Sequence, residues 1–153
     1  MSTSPADSPR SATNPLALPS SVRRGGGELW LAIAFGGALG TLARFGLSEA
    51  LPAAGADWHW ATLLANVIGA AALGVILVRL PNPASAPSRL RAFLATGVCG
   101  GLTTFSTMQR ELLSMIDGGQ GALALSYAAV SIVAGLVAVL VAVRLAARGE
   151  GQR

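Results

Sequence analysis

Between Gly97 and Thr107 the chain reads Gly-Val-Cys-Gly-Gly-Leu-Thr-Thr-Phe-Ser-Thr. Three glycines and four hydroxyl residues thus fall inside an apolar segment otherwise long enough to cross a bilayer. Such a run breaks a helix. Backbone released from helical hydrogen bonds cannot face lipid, so the break must be buried in protein or line a polar path. Two chemistries follow. Carbonyls at Gly100 and its neighbours that lose their helical donors suit a hard, weakly charged cation, and a half-helix C-terminus adds negative potential. The second half-helix, starting near Thr104–Ser106, presents an N-terminus that favours anions. One break can serve a cation and an anion on different sides. A glycine-rich packing crossover that binds nothing is the plain alternative.

Other polar residues sit on neighbouring apolar segments. Asn66, in Ala65-Asn66-Val67-Ile68-Gly69, carries donors and an acceptor and must face a bundle interior. It is either a ligand group or interhelical glue. Thr62, four residues earlier, shares its helix face. Tyr127 and Ser131 are likewise four apart, so their hydroxyls can continue a donor track or simply bond backbone. Phe105 is either core packing or an edge contact for an anion, since an aromatic ring is positive at its rim. Arg44 and Glu111 are expensive at membrane depth and therefore suggestive. Arg44 either attracts anions at a vestibule or pairs with Glu49, Glu111 or a carbonyl. Arg110 belongs near an outer vestibule or a partner surface.

The elements that must hold these groups are four apolar segments, near residues 29–51, 60–80, 90–116 and 122–146. Each reaches the roughly 20 residues that span a bilayer. Pro and Gly clusters separate them and end the helices. The chain is 52% hydrophobic and 12% charged, about half the charge of a soluble domain. The expectation is an all-α membrane protein of four transmembrane helices with the third broken at mid-membrane. A chain of 153 residues gives each helix few neighbours, which argues for an oligomer. Residues 1–27 are Ser-, Pro-, Ala- and Gly-rich and read as a disordered cytoplasmic tail. Residues 28–147 form the membrane domain, and 148–153 a second cytoplasmic tail.

All eleven basic residues are Arg. They gather at segment ends instead of on one helix face, which excludes nucleic acid as a partner despite a pI near 11.0. Arg23 and Arg24 precede the first span; Arg79, Arg89 and Arg91 flank the second loop; Arg144, Arg148 and Arg153 end the chain. The other two loops hold Asp57 and Asp117 and no Arg. The positive-inside rule puts both termini in the cytoplasm of a multi-pass cell-membrane protein. Trp30, Trp58 and Trp60 sit at span edges, where they either anchor at the interface or pack. The single cysteine, Cys99, permits no intrachain disulfide and reads as packing, and one His59 makes no metal cluster.

Together these residues resemble the small four-helix fluoride channels, the Fluc family, also known as the camphor-resistance or CrcB family. The match covers about residues 29–146. It is carried by Gly97–Thr107, by Gly36-Gly37-x-x-Gly40-x-x-x-Arg44, and by Asn66-Val67-Ile68-Gly69 with Gly74. The resemblance implies a non-enzymatic channel that exports fluoride passively and lowers its toxicity. It implies an antiparallel, dual-topology-type dimer with two anion pores. It also implies a structural Na⁺ held by backbone carbonyls matching Gly100 and Thr103. Fluoride would pass Asn66, Phe105, Thr107, Met108, Tyr127 and Ser131, with Arg44 lending positive potential at an entrance.

Two departures from the family pattern stand out. A second pore Phe is usual three residues after Phe105, where this chain has Met108, a polarizable sulfur in place of a ring edge. Val133 and Gly135 also follow Ser131 where further hydroxyls could stand. The strong Arg bias disfavours insertion both ways, so the partner is either a second copy or an oppositely oriented paralogue. A proton-coupled multidrug exporter of similar size needs a membrane-embedded carboxylate, usually in the first span, and Glu49 lies only at that span's edge. A non-transporting scaffold explains the glycines but not polar residues on three spans.

Overall fold

The computed structural model describes residues 20–53, 57–80 and 88–149. Residues 1–19, most of the expected N-terminal tail, and 150–153 lie outside them. Every regular element among the described residues is helical. Helix α1 is Ser20–Ala50 and α2 is Trp60–Arg79. Helix α3 covers residues 89–102: a helical turn Arg89–Arg91, a π-helix Ala92–Cys99, and a closing turn Gly100–Leu102. Helix α4 is Phe105–Asp117 and α5 is Gly121–Arg148. Three segments are long and apolar enough to cross a membrane: Gly27–Ala50, Trp60–Arg79 and Gly121–Arg148. Neither α3 nor α4 alone reaches the roughly 20 residues a crossing needs.

Segment ends fall within two residues of the expectation, except the first. Helix α1 begins at Ser20, through Gly25-Gly26-Gly27, not after them. Glycine weakens a helix by about 1 kcal/mol per residue, but extending one already nucleated downstream is far easier than starting one. At the far end of α4, Gly118 and Gly119 make the expected stop. Gln120 donates its amide back to Met115 O at 2.8 Å, with Gly119 at φ +76°, a conformation that favours glycine.

Lipid removes the hydrophobic drive between helices, so close packing and polar bonds hold them. The glycines serve this directly. A methyl on Gly97 would stand 2.9 Å from both Gly36 Cα and Ile33 O, so α1 and α3 touch backbone to backbone. A methyl on Gly74 would meet Val139 O at 2.9 Å, bringing α2 against α5. This corrects one expectation. Gly97, Gly100 and Gly101 are not where the helix unwinds; all three remain helical. The unwound residues are Thr103 (φ −76°, ψ 150°) and Thr104 (φ −151°, ψ 120°).

One buried cluster, Leu63, Met108, Met115, Ala124 and Tyr127, joins α2, α4 and α5. Trp58 packs its ring edge-on to Tyr127, centroids 5.3 Å apart. Trp60, at the start of α2, and Trp30, near the start of the membrane-length stretch Gly27–Ala50, are exposed, as interfacial anchors would be. Large apolar side chains elsewhere on α1 and α5 are also exposed, a surface that only lipid or another subunit can cover. Helix ends can be sorted by their contacts. Glu28 pairs with Arg89, Arg91 Nη1 donates to Leu80 O, and the Arg79 guanidinium lies beside Gly149. Tyr127 and His59 meet at the opposite end.

Candidate ion pathway

The interruption between α3 and α4 is held by one side chain from α2. Asn66 Oδ1 accepts the Thr104 amide at 2.8 Å, and Asn66 Nδ2 donates to Thr104 O at 3.2 Å. This amide pairing takes the place of a strand neighbour and keeps Thr104 extended. Thr104 then caps α4. Its Oγ1 accepts the Thr107 amide at 3.2 Å and donates to Thr107 Oγ1 at 3.0 Å, with Ser106 Oγ at 3.4 Å. Such hydroxyl caps are the usual way to satisfy a free helix N-terminus.

These bonds leave two carbonyls behind. A continued helix would bring the Thr104 amide to Gly100 O, but that amide goes to Asn66. It would bring the Thr107 amide to Thr103 O, but that amide goes to Thr104 Oγ1. Cys99 O, by contrast, receives both the amide and the hydroxyl of Thr103, at 3.0 and 2.9 Å. Gly101 O receives Arg44 Nε at 3.3 Å. Of the partners expected for Arg44, a carbonyl is the one it finds.

Asn66, Thr103, Thr104 and Phe105 line an open pocket of ≈ 260 Å³. Phe105 projects outward and is 68% exposed. The pocket is thus floored by an amide, walled by a ring, and entered at the N-terminus of α4. Asn66 Nδ2 retains a second N–H beyond the one bonded to Thr104, and helix N-termini attract anions.

A second polar cluster lies one to two turns along α4. Thr62 Oγ1 donates to Glu111 Oε1 at 2.5 Å, and Tyr127 Oη donates to Glu111 Oε2 at 2.8 Å. Ser131 lies in the same interior, and its buried hydroxyl has no partner among the described residues. The expected residues therefore separate into two groups. Gly100, Thr103, Asn66, Phe105, Thr107 and Arg44 gather at the interruption. Met108, Tyr127 and Ser131 gather in the α2–α4–α5 interior. Met108 is buried in the apolar cluster with Leu63, Met115 and Tyr127 and does not line the pocket beside Phe105. Thr62 does not share its polar partner with Asn66.

The sequence marks Glu111 as costly at membrane depth and Thr104 as the start of the second half-helix, but neither as an organising residue. Spacing was the available signal. Glu111 is four after Thr107 and seven after Thr104, on one face, and Thr62 and Asn66 are four apart on the facing helix. Two such stripes laid side by side must pair polar group with polar group.

Comparison with known proteins identifies the family. Residues 31–143 match the family described as "CrcB-like protein, Camphor Resistance (CrcB)". A fluoride-specific ion channel FluC 1 of Mycobacterium bovis is 48% identical over 117 residues, 76% of this chain and 89% of the relative. FluC 1 of Mycolicibacterium paratuberculosis is 45% identical over 122 residues, covering 80% and 92%. The fluoride-specific ion channel FluC of Thermus thermophilus is 40% identical over 121 residues, covering 78% and 94%. A family match across most of the chain, at such identity to proteins of nearly the same length, places this multi-pass membrane protein in the CrcB-like family.

Proposed function

We propose that this chain is a subunit of a fluoride-specific channel and not an enzyme. It lets fluoride leave the cell down its gradient and so lowers internal fluoride. The observation that carries the reading is the Asn66–Thr104 pairing at the interruption, which opens an amide-, hydroxyl- and ring-lined pocket at a helix N-terminus. A bare small ion costs on the order of 20 kcal/mol to bring into low dielectric. Neutral donors repay that only in part, and weak binding at several sites lets an ion both enter and leave. Asn66, the Phe105 ring edge and Thr107 serve one stretch of the path; Tyr127 and Ser131 serve the next. Arg44, fixed on Gly101 O, adds positive potential near one entrance.

A structural Na⁺ fits the donor set. Gly100 O and Thr103 O are carbonyls whose helical donors are engaged elsewhere, and neutral carbonyls suit a hard monovalent cation. Na⁺ bound there would neutralise the carbonyl dipoles and hold α3 in place; it is not transported. A site at the interruption also suits a two-fold axis of an antiparallel dimer, with the two half-helices making a third span broken at mid-membrane.

Contacts at the helix ends support a cell-membrane protein with both termini in the cytoplasm. Arg79, Arg89, Arg91 and Arg148 collect at one end, opposite His59 and Tyr127. With so uneven a charge, we infer one orientation per chain and pairing with an oppositely oriented paralogue rather than a second copy. Cysteine-accessibility mapping that found loop 52–57 on both sides of the membrane would refute this.

Glu111 is the carboxylate a proton-coupled exporter would need, yet both its oxygens are bonded to hydroxyls, which disfavours that reading. Fluoride efflux from liposomes, followed with a fluoride electrode, tests the proposal. Fast efflux with the chain, alone or with its paralogue, is expected. No efflux in either case would leave a non-transporting scaffold.

A further inference from the structure

A groove of ≈ 480 Å³ runs along the seam of α2 and α5, away from the polar pocket. Ala71, Val75 and Arg79 form one wall, at four-residue steps on one helix face. Ala138, Ala142 and Leu145 are on the other. It exists because small side chains line helices that touch closely at Gly74 and Val139. It is apolar along its length and closes on a guanidinium at one end. Ala71 to Arg79 is about 12 Å of helix axis, the scale of an acyl-chain segment. The guanidinium lies beside Gly149, past the last turn of α5, at the level where the span ends. Arg144 and Arg148 are on that same last stretch of α5.

A groove with this pattern does not suit water or a free anion, which its apolar walls exclude. A zwitterionic lipid would fill the walls, but its ammonium group offsets the attraction of its phosphate to the charge. From the charge complementarity we infer that the groove is a binding site for an anionic phospholipid. One acyl chain lies against Ala71, Val75 and Ala138, and the phosphate meets Arg79. Basic pockets between transmembrane helices on the cytoplasmic side commonly hold such headgroups. The site is independent of fluoride passage and rests only on the chain spanning a membrane.

The test is lipid retention by the full-length purified protein in native mass spectrometry. Phosphatidylglycerol and phosphatidylcholine with identical acyl chains are compared, and glycerol 1-phosphate supplies the headgroup without chains. Phosphatidylglycerol is expected to be retained at least tenfold better than phosphatidylcholine, with no retention of glycerol 1-phosphate. Arg79→Gln should abolish the preference, Arg79→Lys should keep it, and Ala138→Leu should weaken binding of both lipids by filling the groove. Size-exclusion profiles identify any variant that fails to fold; the Arg79→Lys arm and the lipid comparison on the unaltered protein still decide. Equal retention of the two lipids, or an unchanged preference in Arg79→Gln, would overturn the assignment and leave the groove for a second subunit to cover.

Discussion

Replacing Asn66 separates the two jobs assigned to it. Its amide both accepts from Thr104 N–H and donates to Thr104 C=O. Asn66→Leu keeps the volume and removes both bonds. The half-buried Thr104 amide is then left without its protein acceptor, which costs at most about 1–3 kcal/mol. The lost donor costs about 0.5–1.5 kcal/mol more, because Thr104 O retains its place as the first acceptor of α4. The sum is about 1.5–4.5 kcal/mol. Asn66→Asp keeps the acceptor at the same point but loses the donor and sets a negative charge on the pocket. The two variants should therefore differ. Asn66→Leu should lower the thermal midpoint of the folded protein's peak in size-exclusion chromatography and abolish efflux. Asn66→Asp should stay nearer the parent in stability and still lose at least tenfold in fluoride efflux. If Asn66→Leu melts like the parent and conducts normally, the interruption is not held by this residue and the reasoning fails.

Other consequences follow from the same contacts. Tyr127→Phe removes the 2.8 Å bond to Glu111 and should cost about 1.5–3 kcal/mol, as for a bond to a charged group; chemical unfolding of the reconstituted protein checks it. Gly97→Ala places a methyl 2.9 Å from Gly36 Cα and Ile33 O, so α1 and α3 must part, at about 1–3 kcal/mol in the same assay. Met108→Phe enlarges a buried side chain in the closed cluster around Tyr127 and should also destabilise by about 1–3 kcal/mol, without raising fluoride efflux. Exchanging Na⁺ for a bulky organic cation should reduce efflux if Gly100 O and Thr103 O need a cation; equal efflux in both would remove that site.

Length and hydropathy made the segments readable, because a bilayer demands a fixed run of apolar residues. Interruption of the third was visible as composition, but not its position. Glycine marks both flexible backbone and close approach, and the sequence does not distinguish them. Here Gly97 and Gly101 serve approach to α1, while two threonines unwind. The π-helix Ala92–Cys99 has no signature in its residue types, since its width follows from how the helix packs. Asn66, Phe105 and Thr107 could be nominated for their chemistry, and they do gather at the interruption. Met108 is marked by family position alone, whereas burial among Leu63, Met115 and Tyr127 sets its surroundings. Glu111 was hardest to read. Its worth depends on Thr62 and Tyr127, which come from two other helices, and such tertiary pairing shows in one sequence only as matching four-residue spacings.

The central claim is that this path passes fluoride and rejects other halides. Planar-bilayer recording under a fluoride gradient, with chloride equal on both sides, tests it most directly. The current should reverse at the fluoride equilibrium potential, about 59 mV per tenfold gradient for a monovalent ion. Reversal near zero, where chloride sets the potential, would contradict the account.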